Sequence, residues 1–249
     1  MDDKWVIVMS YNIKDYGVLL IFSLFLVVIL MPVYGVHASS LVWVRDYKYT
    51  PLLDNNPQGR LNLIVSIYKQ LGDGVSTRDW YFYKIKIQTV PGTVSYGSDW
   101  ETSETFAWHK TYEWLVDYDP TTTNGYYSSS ASVSVTLTSE GANPTFTYSW
   151  GYTIPFVSVI DQSDFSQNKA VWKHDFNEKE DPVGSPSDST YLAKPGFVVK
   201  TYQDGWSFVD AYYKVTWGHP DPVWWWLGIW QYNTYQSPTI LLDARLVGD

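Results

Sequence analysis

Histidine stands beside a carboxylate at two places in the chain, His174-Asp175 and His219-Pro220-Asp221. Such neighbours are the raw material of metal ligation and of base-assisted catalysis. A zinc site without thiolates needs three or four converging nitrogen and oxygen donors. Neither pair carries the HExxH spacing that would present two imidazoles from one helix face. His109 has no adjacent carboxylate at all. The expectation for all three is surface or strand-end histidine with ordinary hydrogen bonds.

Hard oxygen donors are denser. Asp161-Gln162-Ser163-Asp164-Phe165-Ser166-Gln167-Asn168 offers Asp161, Asp164 and Asn168 as ligands for calcium, and Asp117-Tyr118-Asp119 is a second, smaller cluster. Neither matches the twelve-residue calcium loop with its central Gly and terminal Glu. Asp, Ser and Asn between strands also bond their own backbone in turns, so the same residues suit turn chemistry. Calcium is the one cofactor these residues leave open.

Glycoside hydrolysis would need two carboxylates a few ångströms apart. Asp175 near Trp172, and Asp210 between Val209 and Ala211, are the acidic residues set among large apolar neighbours. No GxSxG nucleophile elbow occurs. No catalytic residue is assigned.

Aromatic side chains carry the strongest chemical signal, with 14 Trp and 21 Tyr in 249 residues. They suit half-buried pleated surfaces, and their polar tips suit interfaces and platforms for stacking sugars. The densest string is His219-Pro220-Asp221-Pro222-Val223-Trp224-Trp225-Trp226-Leu227-Gly228-Ile229-Trp230. Consecutive residues of a strand point to opposite faces, so one of Trp224, Trp225 and Trp226 leaves the core side. Trp224, Trp225, Trp226 and Trp230 are therefore the candidate ligand-binding patch.

The elements that would position these residues are strands. Leu61, Leu63, Val65 and Ile67 alternate with their neighbours, as do Tyr81, Tyr83, Ile85 and Ile87. The same period of two runs through Ala131 to Leu137, Phe146 to Ile154 and Val209 to Trp217. Glu104 to Val116 alternates through Phe106, Trp108, Lys110, Tyr112 and Trp114 and is taken as one further strand. Turn residues separate these segments at 54–59, 72–74, 91–92, 123–125, 141–144 and 203–205. The stretch 177–195, with Glu178, Glu180, Asp181 and Asp188 among prolines and Gly184, is expected to be a long exposed loop. The fold class is all-β: an antiparallel β-sandwich, jelly-roll or immunoglobulin-like, after an N-terminal hydrophobic leader helix.

That leader is Val18 to Val33, interrupted by the polar Ser23 and followed by Tyr34-Gly35-Val36-His37-Ala38. Small residues after an apolar run mark an export signal with its cleavage site. An uncleaved anchor is the alternative, since Gly17 to Val36 reaches the ~20 residues a spanning helix needs. The expected organisation is thus a signal peptide or membrane anchor at 1–38 and a single β-sandwich domain at 39–249. Localisation follows as secreted or cell surface, with membrane contact only through the N-terminal segment if it is retained.

The chain has no cysteine, so an exported domain of this sequence relies on packing instead of disulfides. Its formal net charge of −9 gives no electrostatic footprint for DNA or RNA. The functional expectation is an exported, surface-associated protein with a structural or interaction role and no evident catalysis. The alternatives are a carbohydrate-binding domain using exposed Trp and Tyr, and a secreted glycan hydrolase. The expected partner is an envelope or extracellular protein or a glycan.

Overall fold

The computed structural model describes residues 40–50, 58–72, 75–93, 100–122, 127–136, 145–155, 158–176, 191–220, 223 and 230–247. The leader assigned to 1–38 and the tryptophans at 224–226 lie outside them. All described residues belong to one compact unit, Ala38–Asp249.

Alternating β-branched and aromatic side chains become strands because a pleated backbone sends successive residues to opposite faces. The strands are β1 (Ser40–Tyr49), β2 (Gly59–Leu71), β3 (Arg78–Pro91), β4 (Glu101–Thr111), β5 (Trp114–Asp119), β6 (Tyr127–Thr136) and β7 (Thr145–Pro155). They continue as β8 (Ser158–Asp161), β9 (Lys169–Asp175), β10 (Tyr191–Ala193), β11 (Gly196–Tyr202), β12 (Ser207–Pro220), β13 (Trp230–Gln236) and β14 (Ile240–Ala244). One 3₁₀ turn, Phe165–Gln167, precedes β9.

Two six-stranded antiparallel sheets result. The first runs β1-β2-β3-β11-β5 with β10 also on β3; the second runs β13-β12-β4-β9-β8 with β14 also on β12. The β6–β7 hairpin forms its own two-stranded sheet. The long strands β3 and β12 each serve two shorter partners in succession. Thus β12 pairs with β14 through Ser207 to Ala211 and with β13 from Lys214 to Pro220.

Inward residues of both sheets join one apolar cluster. Leu61, Leu63, Val65, Ile67, Tyr83, Ile85 and Ile87 from the first sheet meet Trp172, Val209, Ala211, Tyr213, Val215 and Trp217 from the second. None of these is more than 2 % exposed. Burial of this kind contributes about 25 cal/mol for each Å² of apolar surface removed from water. Gly59 lets β2 approach β12. A Cβ there would lie 2.6 Å from Val90 O and 2.7 Å from Trp217 Nε1, and its φ of +148° disfavours other residues.

Two sequence expectations change. The segment 104–116 is two strands in different sheets: β4 ends at Thr111, Tyr112-Glu113 turns, and β5 starts at Trp114. Its aromatic face also points outward, while Ala107, His109 and Thr111 point into the core. The cause is the neighbours: Ala107 pairs with Tyr213 on one side and with Trp172 on the other. Two large inward rings leave room between them for a methyl group only. In the stretch taken as the loop 177–195, Tyr191–Ala193 forms β10 against Thr89 to Ile87 of β3.

One charged pair is sealed inside. Lys69 Nζ lies 3.0 Å from Asp79 Oδ2, with the two side chains 0 % and 1 % exposed. Lys69 also donates to Leu246 O at 2.8 Å, and Asp79 Oδ2 accepts from Asp204 N at 2.7 Å. The pair therefore ties β2 and β3 to the last described segment and to the β11–β12 turn.

Candidate functional site

Two connections cross between the sheets at the same end of the molecule. Tyr112-Glu113 carries the chain from β4 to β5, and Gln203 to Trp206 carries it back from β11 to β12. They bond directly: Tyr112 N donates to Phe208 O at 3.1 Å, and Phe208 N donates to Glu113 Oε2 at 3.1 Å. The β11–β12 turn is tight because Asp204 takes a left-handed φ of +53° and Gly205 N donates to Tyr202 O at 2.9 Å. Asn168, left-handed at the end of the 3₁₀ turn, braces the other connection. Its carbonyl accepts from Thr111 N and its side-chain Oδ1 accepts from Leu115 N.

Between these turns opens a cleft of about 520 Å³ lined by Tyr112, Glu113, Trp114, Asn168, Tyr202 and Trp206, among others. Its rings are unusually open for their size: Tyr112 is 64 % exposed, Tyr202 63 %, Trp206 43 % and Trp114 39 %. Trp114 and Tyr202 meet edge to face, with centroids 5.2 Å apart and planes at 75°. Trp206 stacks on Phe208 at 5.6 Å with planes 11° apart. Such contacts fix ring orientation.

Polar groups sit among the rings. Glu113 is half-buried, and burial pushes its pKa upward against the hydrogen bond from Phe208 N. Asp210, on the adjoining outer face of β12, accepts from Tyr112 Oη at 2.6 Å. Arg78 lies over both Tyr202 (4.3 Å) and Trp114 (5.0 Å), Lys200 over Trp114 (5.6 Å) and Arg245 over Trp206 (5.7 Å).

Of the described residues singled out in sequence, Asn168 lines the cleft and Asp210 adjoins it, while Trp230, Asp161, Asp164 and Asp175 do not line it. Trp230 opens β13, half-buried and paired with Pro220. It packs with Tyr232 over Gly218, where a Cβ would meet their rings at 3.3 and 3.1 Å. Trp224, Trp225 and Trp226 are outside the described residues. Asp161 Oδ1 accepts from Ser163 N, and Asp164 Oδ1 accepts from Ser166 N and Oγ, each at 2.7–2.8 Å. Asn168 Oδ1 is engaged by Leu115 N. The two carboxylates serve the turns leading into and around Phe165–Gln167, and the amide braces β5. Among the described residues no three His, Asp or Glu side chains are placed to hold a metal ion. Asp175 bonds Lys173, with Nζ 3.4 Å away.

The histidines differ from expectation. His109 and His174 are completely buried on inward faces of β4 and β9. His109 Nε2 accepts from Tyr213 Oη at 2.7 Å, and its Nδ1 faces Ala170 O at 3.3 Å, which fixes a neutral tautomer. Among the described residues neither ring nitrogen of His174 has a hydrogen-bond partner. Desolvation lowers His109 to a pKa of about 3 and His174 to about 4, so both are core side chains and not acid–base groups of an open site. His219, at the end of β12, lies against Trp100 with ring centroids 5.1 Å apart.

Sequence reasoning had noted Asp210 and the turn at Gln203-Asp204-Gly205, but it did not assemble the cleft. The available signal was aromatic residues flanking turns at strand ends, Tyr112 and Trp114 beside Glu113 and Tyr202 and Trp206 beside Asp204-Gly205. The chain matches no model of a known protein family and no curated protein sequence.

Proposed function

We propose that this is an exported carbohydrate-binding protein, a β-sandwich of the broad jelly-roll or immunoglobulin-like kind, holding glycans without cleaving them. The observation that carries the reading is the cleft with four exposed rings around Glu113. Pyranose rings present C–H faces that stack on indole and phenol, while carboxylate and amide groups bond the hydroxyls. A cleft of about 520 Å³ falls within the range of small-ligand sites, with a mostly aromatic lining and few polar groups. The shared core of the two sheets supports the sandwich, and the apolar run at Val18 to Val33 supports export.

The test is calorimetry and tryptophan fluorescence of the purified full chain against a panel of cell-wall and storage oligosaccharides. Saturable binding is expected, and Trp114→Ala and Trp206→Ala should each abolish or weaken it with unchanged melting. Absence of binding across the panel would overturn the reading and return the protein to a structural surface role.

A further inference from the structure

We infer that the cleft selects acidic glycans, those bearing uronate carboxylates, and that Arg78 and Lys200 read the acid group. The inference rests on the carbohydrate-binding reading above and names its ligand class. The observation behind it is an asymmetry of charge around the rings. Both carboxylates at the site already have donors of their own: Glu113 takes the amide of Phe208, and Asp210 takes the hydroxyl of Tyr112. The three cations at the site have no such compensation. Arg78, Lys200 and Arg245 make no ion pair among the described residues, and Arg78 and Lys200 have only ring faces as partners. Arg245 donates once more, to the backbone oxygen of Asp204 at 3.0 Å.

Position strengthens the argument. Lys200 pairs with Trp114 across β11 and β5, and Tyr202 pairs with Arg78 across β11 and β3, so each cation stands directly opposite one of the stacking rings. A sugar lying on Trp114 and Tyr202 would place its ring substituents next to a guanidinium and an ammonium. In a chain of net charge −9, three cations are gathered at this aromatic cleft. Planar carboxylates are the groups that guanidinium donors bind best, and a charge-assisted hydrogen bond is about twice as strong as a neutral one. Neutral sugars would use the rings and leave the cations idle.

The probe is polygalacturonate, compared with its fully methyl-esterified form, which keeps the sugar backbone and removes the charge. Dextran sulfate controls for unspecific attraction of polyanions. Titrations of the full chain at low and high salt should show polygalacturonate bound about tenfold or more tighter than the ester, with the preference shrinking as salt rises. Arg78→Gln and Lys200→Gln, each checked for an unchanged melting temperature, should lower polygalacturonate affinity about fivefold and reduce its salt dependence. Equal affinity for acid and ester, or tighter binding of dextran sulfate than of polygalacturonate, would overturn the inference. Binding of the ester that is lost in Trp114→Ala would still uphold the carbohydrate reading, so the two failures are distinguishable.

Discussion

Mild acid should destabilise this protein through His109 and His174, and the size of the effect follows from their burial. Both imidazoles are fully enclosed and lowered to pKa values of about 3 and about 4. In the unfolded chain they return to an ordinary value near 6.5. The folded state therefore excludes protons that the unfolded state binds, and stability falls as pH drops below about 6.5 and keeps falling until the folded pKa is reached. At pH 5 the unfolded imidazoles are almost wholly protonated and the folded ones still neutral. The loss is set by the 1.5 units between pH 5 and 6.5, about 2 kcal/mol for each histidine. Together they remove about 4 kcal/mol between pH 7.5 and pH 5, a large share of the 5–15 kcal/mol typical of a domain. Most carboxylates are ionised in both states over this window and add little. Urea unfolding at pH 7.5, 6 and 5 measures the slope directly. His174→Leu, which replaces a ring with two unpartnered nitrogens by an apolar side chain, should remove about half of it. A wild-type stability that is flat from pH 7.5 to pH 5 would refute the reasoning, because it would mean that the imidazoles are not held neutral by the fold.

Other outcomes can be checked with the same measurements. Lys69→Met should cost about 3–5 kcal/mol by leaving the Asp79 carboxylate buried without its cation, and the double variant Lys69→Met/Asp79→Leu should regain much of the loss. Gly59→Ala should destabilise by about 2 kcal/mol or more in urea unfolding, because the new Cβ would press on Val90 O and Trp217 at an unfavourable φ. Trp206→Ala should weaken glycan binding about tenfold in calorimetry, equivalent to about 1.4 kcal/mol, without shifting the melting temperature.

The strands with a strict period of two were legible. Leu61 to Ile67 and Val209 to Trp217 bury the side that their alternation indicated. The segment 104–116 was not, because its larger residues face outward: the space opposite Ala107 is already filled by Tyr213 and Trp172 on neighbouring strands. Which face is inner depends on partners distant in sequence. The same holds for the histidines, whose inward position is set by the register of β4 and β9 and not by any adjacent carboxylate. The cleft was hidden for a related reason. Its walls come from two crossovers nearly a hundred residues apart, joined by hydrogen bonds between Tyr112, Glu113 and Phe208 that no local pattern announces. The Asp161 to Asn168 cluster could be read either as metal ligands or as turn chemistry; its two carboxylates are engaged in the turn and its amide with Leu115 N of β5.

The first and last described strands meet. Val42 of β1 pairs with Lys69, whose ammonium holds Leu246 O, and further along Arg45 and Tyr47 both bond the Asp243 carboxylate of β14. Where the chain comes in and where it leaves are therefore side by side. In a unit stitched shut in this way, both ends of the described chain lie at one place on its surface. Tension applied across the described ends would load the Lys69–Leu246 bond before the Arg45–Asp243 clasp.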